Sequence, residues 1–203
     1  MYLVIEGQDG TGKSTQVEKF AELLRAQGKT VLTLHEPDGE LPQAHDIHDL
    51  IVIKGKDYHL EPLTNVALFT AARLELWHKL AEPVLANGGV VISARNWWST
   101  LAYQGYGEGI SRSRIARLTR DFLPKRYVEP DKSAILTLPD EIRAKREKAR
   151  GKALETFEVK GQDFQARVNH AYLKIAQQYK IPTLDASGSI DEVFTSLRQL
   201  FGI

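Results

Sequence analysis

Residues 7–14 read Gly-Gln-Asp-Gly-Thr-Gly-Lys-Ser and join an apolar run at residues 2–5 to a stretch in which apolar residues recur at helical spacing. A strand, a Gly-x-x-x-x-Gly-Lys-Ser loop and a helix in this order are typical of a phosphate-binding loop. The glycines let backbone N–H groups converge on an anion at the positive end of the helix. Lys13 would reach the β- and γ-phosphates, and the Ser14 hydroxyl would bind Mg²⁺. The segment therefore predicts binding of a nucleoside triphosphate; the alternative is a glycine-rich turn that happens to precede a helix.

Phe69 and Arg73 could form part of a second binding site. They are four residues apart in a predicted helix and therefore lie on one face. A ring that stacks on a base, beside a guanidinium that grips a phosphate, makes an acceptor site. The same spacing fits a core phenylalanine and an arginine whose head group reaches solvent. Spacing alone favours this second interpretation.

Arg95 directly follows a predicted strand, and Trp97, Trp98, Tyr103 and Gln104 follow it. An arginine at a strand end beside a phosphate loop is more often functional than structural. The two tryptophans are adjacent, so we expect their side chains to point apart and at least one of them to pack in the core.

A basic run follows later in the chain, with Arg143, Lys145, Arg146, Lys148, Arg150 and Lys152. It fits a solvated helix face, and it fits equally a lid that closes arginines over a transferring phosphoryl group. Apolar positions are sparse, so we expect residues 141–153 to be exposed and mobile. The six histidines show no metal-ligand spacing, which predicts structural or surface roles.

The whole chain of 203 residues fits one domain with a full core, with or without a mobile insertion. A net charge of +1 gives no reason to expect nucleic acid or a membrane surface as the main partner. The absence of cysteine excludes disulfides and thiolate metal sites. We find no export signal and no apolar run near the roughly 18 residues of a membrane span.

Helical and strand-like segments alternate along the chain. Predicted strands cover residues 2–5, 30–34, 90–93, 133–138 and 182–188. Predicted helices cover residues 17–28, 43–53, 63–87, 97–104, 111–122, 164–179 and 190–201. In the last helix we expect Val193, Leu197 and Leu200 to face inward.

This alternation predicts an α/β fold with a five-stranded parallel sheet covered by helices on both faces. Ligands of such sheets bind at the carboxyl ends of the strands. Gly7, Glu36, Arg95 and Asp185 each follow a predicted strand, so we expect them to share one rim. We expect one domain over residues 1–203, with a lid at about 140–160.

A phosphate loop alone fits kinases, GTPases, ATPase motors and transporter subunits. GTPases need a base-reading Asn-Lys-x-Asp segment, which this chain lacks. Motors and transporters usually carry an apolar strand that ends in Asp, whereas strands here end in Ala94-Arg95 and Pro139-Asp140. A small kinase must position two substrates, screen the charge between them and exclude water. The candidate residues above favour a small kinase.

Several motifs, taken together, resemble the bacterial thymidylate kinase family over nearly the whole chain. They are EGQDGTGKST at 6–15, HEPDG at 35–39, F-x-A-x-R at 69–73, SARNWWSTLAYQ at 93–104, the basic run, and LDASGSIDEVF at 184–194. The phosphate loop is not specific, but the run from Arg95 to Gln104 is. The resemblance implies a P-loop kinase fold and transfer of the ATP γ-phosphoryl group to dTMP, with Mg²⁺, in a cytoplasmic homodimer that takes part in dTTP biosynthesis.

The resemblance also implies roles for individual residues. Asp9 lies near the acceptor sugar and the metal, and Tyr103 lies against the deoxyribose, where a 2′-hydroxyl would crowd it. Phe69 stacks on thymine, Arg73 and Arg95 hold the acceptor phosphate, and Thr100 lies with Gln104 near the base. The implied dTMP site comprises Asp9, Glu36, Pro37, Phe69, Arg73, Arg95, Ser99, Thr100, Tyr103 and Gln104.

The implied ATP site comprises Gly7, Gln8, Asp9, Gly10, Thr11, Gly12, Lys13, Ser14, Thr15 and Ser187, and Mg²⁺ would be held by Ser14 and Asp9. The family places its catalytic arginine either in the phosphate loop or in the lid. Gly10 and the basic lid resemble the second layout, which makes Arg146 and Arg150 the candidates. The implied catalytic residues are Asp9, Lys13, Arg95, Arg146 and Arg150.

The chain also departs from the family pattern at five positions, which are His35, Asp38, Ala94, Asn96 and Thr156. Ala94 replaces an Asp that would orient Mg²⁺ waters or the neighbouring arginine. One lost charge-assisted hydrogen bond is worth roughly 1.5–3 kcal/mol, or one to two powers of ten in rate. We therefore expect a slower enzyme or altered metal demand, with Asp9 and Glu36 as possible substitutes.

Two alternatives remain at this stage. One is a kinase for another nucleotide or a nucleoside, although Arg73 and Arg95 together favour an acceptor that already carries phosphate. The other is a nucleotide-binding protein that is catalytically weak or inactive and serves assembly or sensing.

Overall fold

The computed structural model describes residues 1–37, 41–150 and 156–203, apart from the side chains of Lys56, Glu147, Lys148, Arg150 and Glu158. The described strands are β1 (Tyr2–Gly7), β2 (Val31–His35), β3 (Val90–Ala94), β4 (Lys132–Thr137) and β5 (Thr183–Asp185). They form one sheet in the order β2-β3-β1-β4-β5, and every neighbouring pair is parallel. The predicted five-stranded parallel sheet is therefore confirmed.

The helices connect successive strands and alternate with short π-helical turns. The α-helices are α1 (Lys13–Ala26), α2 (Pro42–His48), α3 (Gly55–Tyr58), α4 (Pro62–Leu76), α5 (Glu82–Ala86), α6 (Trp97–Thr100), α7 (Arg112–Phe122), α8 (Lys125–Val128), α9 (Asp140–Arg150), α10 (Gln162–Tyr179) and α11 (Ile190–Phe201). The π-helical turns are Asp49–Ile53, Trp77–Ala81 and Leu101–Gly107, and a 3-10 turn spans Glu158–Lys160. Among the described residues, no helix is both long and apolar enough to cross a membrane.

The central strand β1 is apolar on both faces because helices cover both sides of the sheet. Successive strand residues point to opposite faces. Tyr2 and Val4 belong to the larger core cluster, with side chains of α4 and α10, whereas Leu3 and Ile5 belong to a second cluster with α1 and α11. This double burial anchors the carboxyl end of β1, from which the phosphate loop begins.

Two glycines allow the turn from β1 into α1. Gly7 has φ 137°, and a Cβ there would lie 2.4 Å from the Leu136 carbonyl oxygen of the neighbouring strand. Gly12 caps the helix N-terminus with φ 88° in the left-handed region. A side chain at position 7 would push the loop off the sheet, so only glycine fits there.

The basic segment after β4 agrees only in part with the expectation of an exposed stretch. Glu141, Ala144, Lys145 and Ala149 are exposed as expected. However, α9 starts at Asp140 and packs its first turn, with Ile142 against the second core cluster and Arg143 only 7 % exposed. The helix starts directly after the sheet edge, so even a sparse apolar pattern is buried there. Residues 151–155 of the predicted segment lie outside the described residues.

Two packing predictions near other helices are also wrong. Leu200 is 39 % exposed, and Phe201 is buried in its place, because Val193, Leu197 and Phe201 repeat at four-residue spacing along α11. Trp97 and Trp98 do not point apart. They begin a helix, where consecutive side chains are about 100° apart, and both rings pack against Tyr179, at 5.3 and 6.2 Å between centroids. The expectation that at least one of them packs in the core is confirmed, since both are buried.

Candidate functional site

A cavity of about 830 Å³ opens at the carboxyl ends of the strands. Its wall includes these residues of the predicted site: Asp9, Gly10, Thr11, Gly12, Lys13, Ser14, Thr15, Glu36, Pro37, Phe69, Arg73, Arg95, Ser99, Thr100, Tyr103, Gln104 and Arg146. Segments that follow β1, β2, β3 and β5 therefore meet at one rim. These strands end at Gly7, His35, Ala94 and Asp185, so the segments are distant in sequence and the sheet topology brings them together.

Three described residues of the predicted site are not in this wall. Gly7 and Gln8 lie behind the loop, and the Gln8 side chain is 2 % exposed. The Ser187 hydroxyl donates to Asp185, and the neighbouring residues 186 and 188 line the cavity instead. The side chain of Arg150 lies outside the described residues.

The phosphate loop holds its lysine inside the cavity. Lys13 is 7 % exposed, and its Nζ donates to the Gln8 carbonyl oxygen at 2.8 Å. The Thr11 hydroxyl donates to the same oxygen at 2.8 Å, which fixes the curvature of the loop. The ammonium thus lies across a concave backbone at the N-terminus of α1, an arrangement that suits the negative charge of phosphate oxygens.

The Arg73 side chain is held in place by hydrogen bonds and does not extend into solvent. Its side chain is 3 % exposed; Nε donates to Glu36 at 3.0 Å, and the terminal nitrogens donate to the Thr100 hydroxyl at 2.8 Å and the Asn96 carbonyl at 3.2 Å. These bonds use three of the five N–H groups of a guanidinium. The interpretation of Arg73 as a snorkelling residue is therefore wrong, and its remaining N–H capacity can serve a ligand.

Glu36 is the counter-charge of Arg73. It is 3 % exposed, and the Tyr127 hydroxyl donates to it at 2.6 Å. Burial raises the pKa of Glu36 to about 7, although the Arg73 guanidinium and the Tyr127 hydrogen bond act in the opposite direction. The charge of this pair therefore changes near neutral pH.

Arg95 has a strained backbone. Its φ is 77°, in the left-handed region, which costs a non-glycine residue about 1–3 kcal/mol. The Arg95 backbone N–H donates to the Ile5 carbonyl at 3.1 Å, and the Ser93 hydroxyl donates to the Arg95 carbonyl at 2.7 Å. These bonds hold the strained turn and direct the side chain over the phosphate loop.

The guanidinium of Arg95 is anchored on several sides. It forms an ion pair with Asp9, and it donates to the Ser99 hydroxyl at 3.0 Å and the Tyr172 hydroxyl at 3.1 Å. Burial acts to lower the pKa of Arg95, but Asp9 together with Tyr103, Tyr172 and Glu6 outweighs it and raises this pKa, so the guanidinium stays charged. Arg95 therefore presents a fixed positive charge to the cavity.

Asp9 connects the loop to the acceptor side of the cavity. Besides Arg95, it accepts a hydrogen bond from the Tyr103 hydroxyl at 2.7 Å. Burial alone would raise the pKa of Asp9, but the charges of Arg95 and Lys13 together hold this pKa below its usual value. Asp9 is therefore a carboxylate at neutral pH.

Aromatic rings line the part of the cavity away from the phosphate loop. The Phe157 ring lies 6.2 Å from Phe69 and 5.7 Å from Tyr103, between centroids. Gln104 is 1 % exposed, and its Nε2 has no hydrogen-bond partner among the described residues. An unpaired buried donor beside three rings suits a flat ligand with polar edges.

Helix α9 reaches over the phosphate loop through Arg146. Its guanidinium donates to the Gly10 carbonyl at 3.4 Å and the Ala186 carbonyl at 3.0 Å. The arginine thus bridges the phosphate loop and the segment after β5, and lines the cavity between them.

Sequence reasoning missed Glu6, which organises the turn after β3. Glu6 is fully buried and accepts from the backbone N–H groups of Asn96 at 2.7 Å and Ser99 at 3.1 Å, and from the Ser99 hydroxyl at 2.9 Å. An acid at the end of an apolar strand was a usable signal. Tyr127, Tyr172 and Phe157 gave no comparable signal, since they lie far along the chain.

Magnesium could be held by oxygen ligands at the loop. The Ser14 side chain is exposed in the cavity and the Asp9 carboxylate lies nearby in the same wall, but Ala94 in that wall offers no ligand. One hydroxyl, nucleotide phosphates and water are a usual ligand set for Mg²⁺. The residues present fit such an ion.

The prediction that the histidines form no metal-ligand arrangement is wrong. The ligand atoms of His45, His48 and Asp49 lie within 4.8 Å of one another. Each imidazole is within ion-pair distance of Asp49, at 3.7 and 3.4 Å, which accounts for the cluster without a metal ion.

Comparison with known proteins gives a consistent picture. The family model described as "Thymidylate kinase" matches residues 5–197. A thymidylate kinase of Pseudomonas fluorescens (strain Pf0-1) is 37 % identical over 202 residues, covering 98 % of this chain and 94 % of the relative. A thymidylate kinase of Dichelobacter nodosus (strain VCS1703A) is 35 % identical, with coverages of 97 % and 95 %.

A solved structure is similar throughout. The crystal structure of thymidylate kinase from Ehrlichia chaffeensis superimposes with a TM-score of 0.76 at 27 % identity, and covers 100 % of this chain and 98 % of that one. The sequence likeness therefore extends to the arrangement of the sheet and helices.

The Glu36–Arg73 pair predicts a pH-dependent stability. The native state keeps the Glu36 proton up to about pH 7, whereas the unfolded chain loses it near its ordinary pKa of 4.5. The contribution of Glu36 to the free energy of unfolding therefore falls as pH rises from about 5 to about 8. Glu36→Gln cannot titrate, so its unfolding free energy should rise relative to the wild type over that range in urea titrations. If the unfolding free energies of the two proteins changed in parallel with pH, the raised pKa of Glu36 would be contradicted.

Proposed function

The chain belongs to the thymidylate kinase family, and we propose that its cleft transfers the γ-phosphoryl group of ATP to dTMP, which yields dTDP. One observation carries the proposal: Lys13 on one side, and the buried guanidinium of Arg73 with the partly buried guanidinium of Arg95 on the other, line the same cavity. Two separate positive sites in one cavity suit two phosphate-bearing substrates. A kinase needs both substrates in one dry cleft.

The donor nucleotide occupies the loop side in this proposal. Backbone N–H groups of residues 10–15 hold the β- and γ-phosphates at the N-terminus of α1. Lys13 exchanges its bond to the Gln8 carbonyl for a phosphate oxygen, because a charged acceptor binds an ammonium more strongly than a neutral carbonyl. Ala186 and residues 188–190, at the end of the sheet, form the wall nearest the adenosine.

The acceptor dTMP occupies the aromatic side. Its phosphate takes the remaining N–H groups of Arg73 and the exposed edge of Arg95. Thymine stacks on Phe69 and accepts from the unpaired Nε2 of Gln104. The Tyr103 hydroxyl donates to Asp9, and in this proposal Tyr103 lies against the deoxyribose and leaves little room for a 2′-hydroxyl.

The reaction is an in-line displacement. An oxygen of the dTMP phosphate forms a bond to the γ-phosphorus while the bond to the β,γ-bridging oxygen breaks and ADP leaves. The protein contributes positioning and charge, which are the main terms for phosphoryl transfer. Lys13, Arg95 and Arg146 surround the transferring group, and Asp9 holds Arg95 in place.

Magnesium is part of the proposal, with Ser14 as the protein ligand and Asp9 close by. The ion would neutralise charge on the β- and γ-phosphates. Pairing of Asp9 with Arg95 leaves Asp9 better suited to holding a metal-bound water than to direct ligation.

The organisation of the protein follows the family in this proposal. Residues 1–203 form one kinase domain, with a lid at about 140–160 that includes α9. A cytoplasmic homodimer, implied by the family resemblance, stays a prediction.

A nucleotide panel tests the function directly. ADP release is measured by a coupled assay with ATP and dTMP, dUMP, dCMP or dGMP. We expect turnover with dTMP far above the others, because the four acceptors share one sugar and the contacts of Phe69 and Gln104 with the base distinguish them. Turnover mainly with another monophosphate would reassign the acceptor, and binding of ATP and dTMP without turnover would leave a non-catalytic nucleotide-binding protein.

We expect the absence of a carboxylate at position 94 to limit the turnover of the enzyme or its affinity for Mg²⁺. Ala94→Asp introduces a carboxylate into the cavity wall after β3, and we expect it to raise turnover or lower the Mg²⁺ concentration for half-maximal rate by about one order of magnitude. Ala94→Asn has nearly the same shape without the charge and is the matched control. No gain with Asp, or an equal gain with Asn, would show that the site does not depend on a carboxylate there.

The lid arginines should act on the chemical step. Arg146→Ala is expected to lower kcat on the order of 10²-fold while it weakens ATP binding much less, because its charge is needed mainly in the transition state. Arg150→Ala is measured in parallel. Lys145→Ala is the control, since Lys145 is exposed on the same helix and carries the same charge. Equal losses in kcat and ATP affinity, or an equal effect of Lys145→Ala, would show that the lid arginines act only by general electrostatic attraction of the nucleotide.

A further inference from the structure

Two buried amides join the phosphate loop to the segment that follows the lid. Gln8 Nε2 donates to Gln165 Oε1 at 2.9 Å and to the Gln165 carbonyl at 3.0 Å. Gln165 Nε2 in turn donates to the Phe157 carbonyl at 2.7 Å. Gln8 is 2 % exposed and Gln165 8 % exposed. The three residues form one continuous relay, called the amide relay here.

The direction of the relay is set by its carbonyl end. The Phe157 carbonyl can only accept, so Gln165 must present Nε2 to it and Oε1 to Gln8. Gln8 then has to donate, since both of its partners at that end are oxygens. Neither amide can flip without the loss of a hydrogen bond, so the relay has one orientation.

Each end of the relay lies at one of the two proposed substrate sites. At the loop end, the backbone carbonyl of Gln8 accepts from Lys13 Nζ and from Thr11. At the other end, the Phe157 ring packs beside Phe69 in the cavity wall. Displacement of either end therefore acts on the other through two hydrogen bonds.

Phe157 is also held from the acceptor side of the cavity. The preceding residue, Thr156, donates from its backbone N–H and its hydroxyl to the Val52 carbonyl, at 3.0 and 2.7 Å. Val52 lies in the π-helical turn Asp49–Ile53 and itself lines the cavity. A shift of this wall on acceptor binding is thus passed to Phe157 and then to Gln165.

Stability alone gives no reason for two glutamines here. The Gln8 Oε1 atom is buried and has no hydrogen-bond partner among the described residues. Such a group costs about 1–3 kcal/mol, whereas an apolar pair of similar size would avoid this cost. The two amides therefore fit a connection that provides a fixed hydrogen-bond direction rather than stability.

We propose that Gln165 is a positioning residue that couples the two nucleotide sites, so that dTMP and ATP each strengthen binding of the other. The inference rests on the proposed function, because it takes dTMP and ATP as the occupants. Gln165 touches neither substrate in this account; it sets the phosphate loop relative to the Phe157 ring.

The test is the ratio of dTMP dissociation constants without and with a non-hydrolysable ATP analogue. In the wild type we expect the analogue to tighten dTMP binding by roughly five-fold or more, the lower end of usual coupling between sites. Gln165→Glu keeps an acceptor for Gln8 but removes the donor to Phe157, so its ratio should fall close to one. Gln8→Leu breaks the other end and should give the same loss.

Gln43→Leu is the matched control, since Gln43 donates an amide hydrogen bond to Glu75 between two helices away from the cleft. Its ratio should equal that of the wild type. A wild-type ratio of one, or a wild-type ratio in both Gln165→Glu and Gln8→Leu, would overturn the coupling. Failure of the proposed function is distinct, because the wild type would then not convert dTMP at all.

Discussion

The burial of the Arg73 guanidinium and the partial burial of the Arg95 guanidinium constrain the whole site. A buried cation without a counter-charge is strongly destabilising, and the structure meets this requirement by pairing Arg73 with Glu36 and Arg95 with Asp9. These carboxylates also keep both guanidiniums in fixed positions, so little side-chain entropy is lost when an anion arrives. The site is preorganised because the fold could not otherwise bury its charges.

The sheet positions both ion pairs, and the positioning of Arg95 requires a strained backbone. Arg95 turns left-handed where β3 ends, and Glu6 from the neighbouring strand holds the first turn of α6 beside it. The cost of the strained residue is offset by several buried hydrogen bonds. Because β1 and β3 are adjacent and parallel, the phosphate loop and the Arg95 turn emerge side by side. The sites for the phosphoryl donor and the phosphoryl acceptor therefore meet at one edge of the sheet.

Local patterns allowed much of this to be predicted. The phosphate loop, the strands and the positions of Arg73 and Arg95 depend on spacings of a few residues, which the sequence displays directly. The hydrogen bond from Tyr127 to Glu36 spans 91 residues and that from Arg95 to Tyr172 spans 77, so no local pattern reports them. Leu200 was predicted inward because three- and four-residue spacings both fit a helix, and only packing against the sheet selects Phe201.

The most direct measurement compares the dissociation constants of dTMP and thymidine by calorimetry. If Arg73 and Arg95 together hold the acceptor phosphate, dTMP gains at least two charge-assisted hydrogen bonds of about 1.5–3 kcal/mol each. It should then bind roughly 10²-fold more tightly than thymidine or better. Equal affinity for the two ligands would mean that the guanidiniums do not face an acceptor phosphate, and would contradict the account of the cleft.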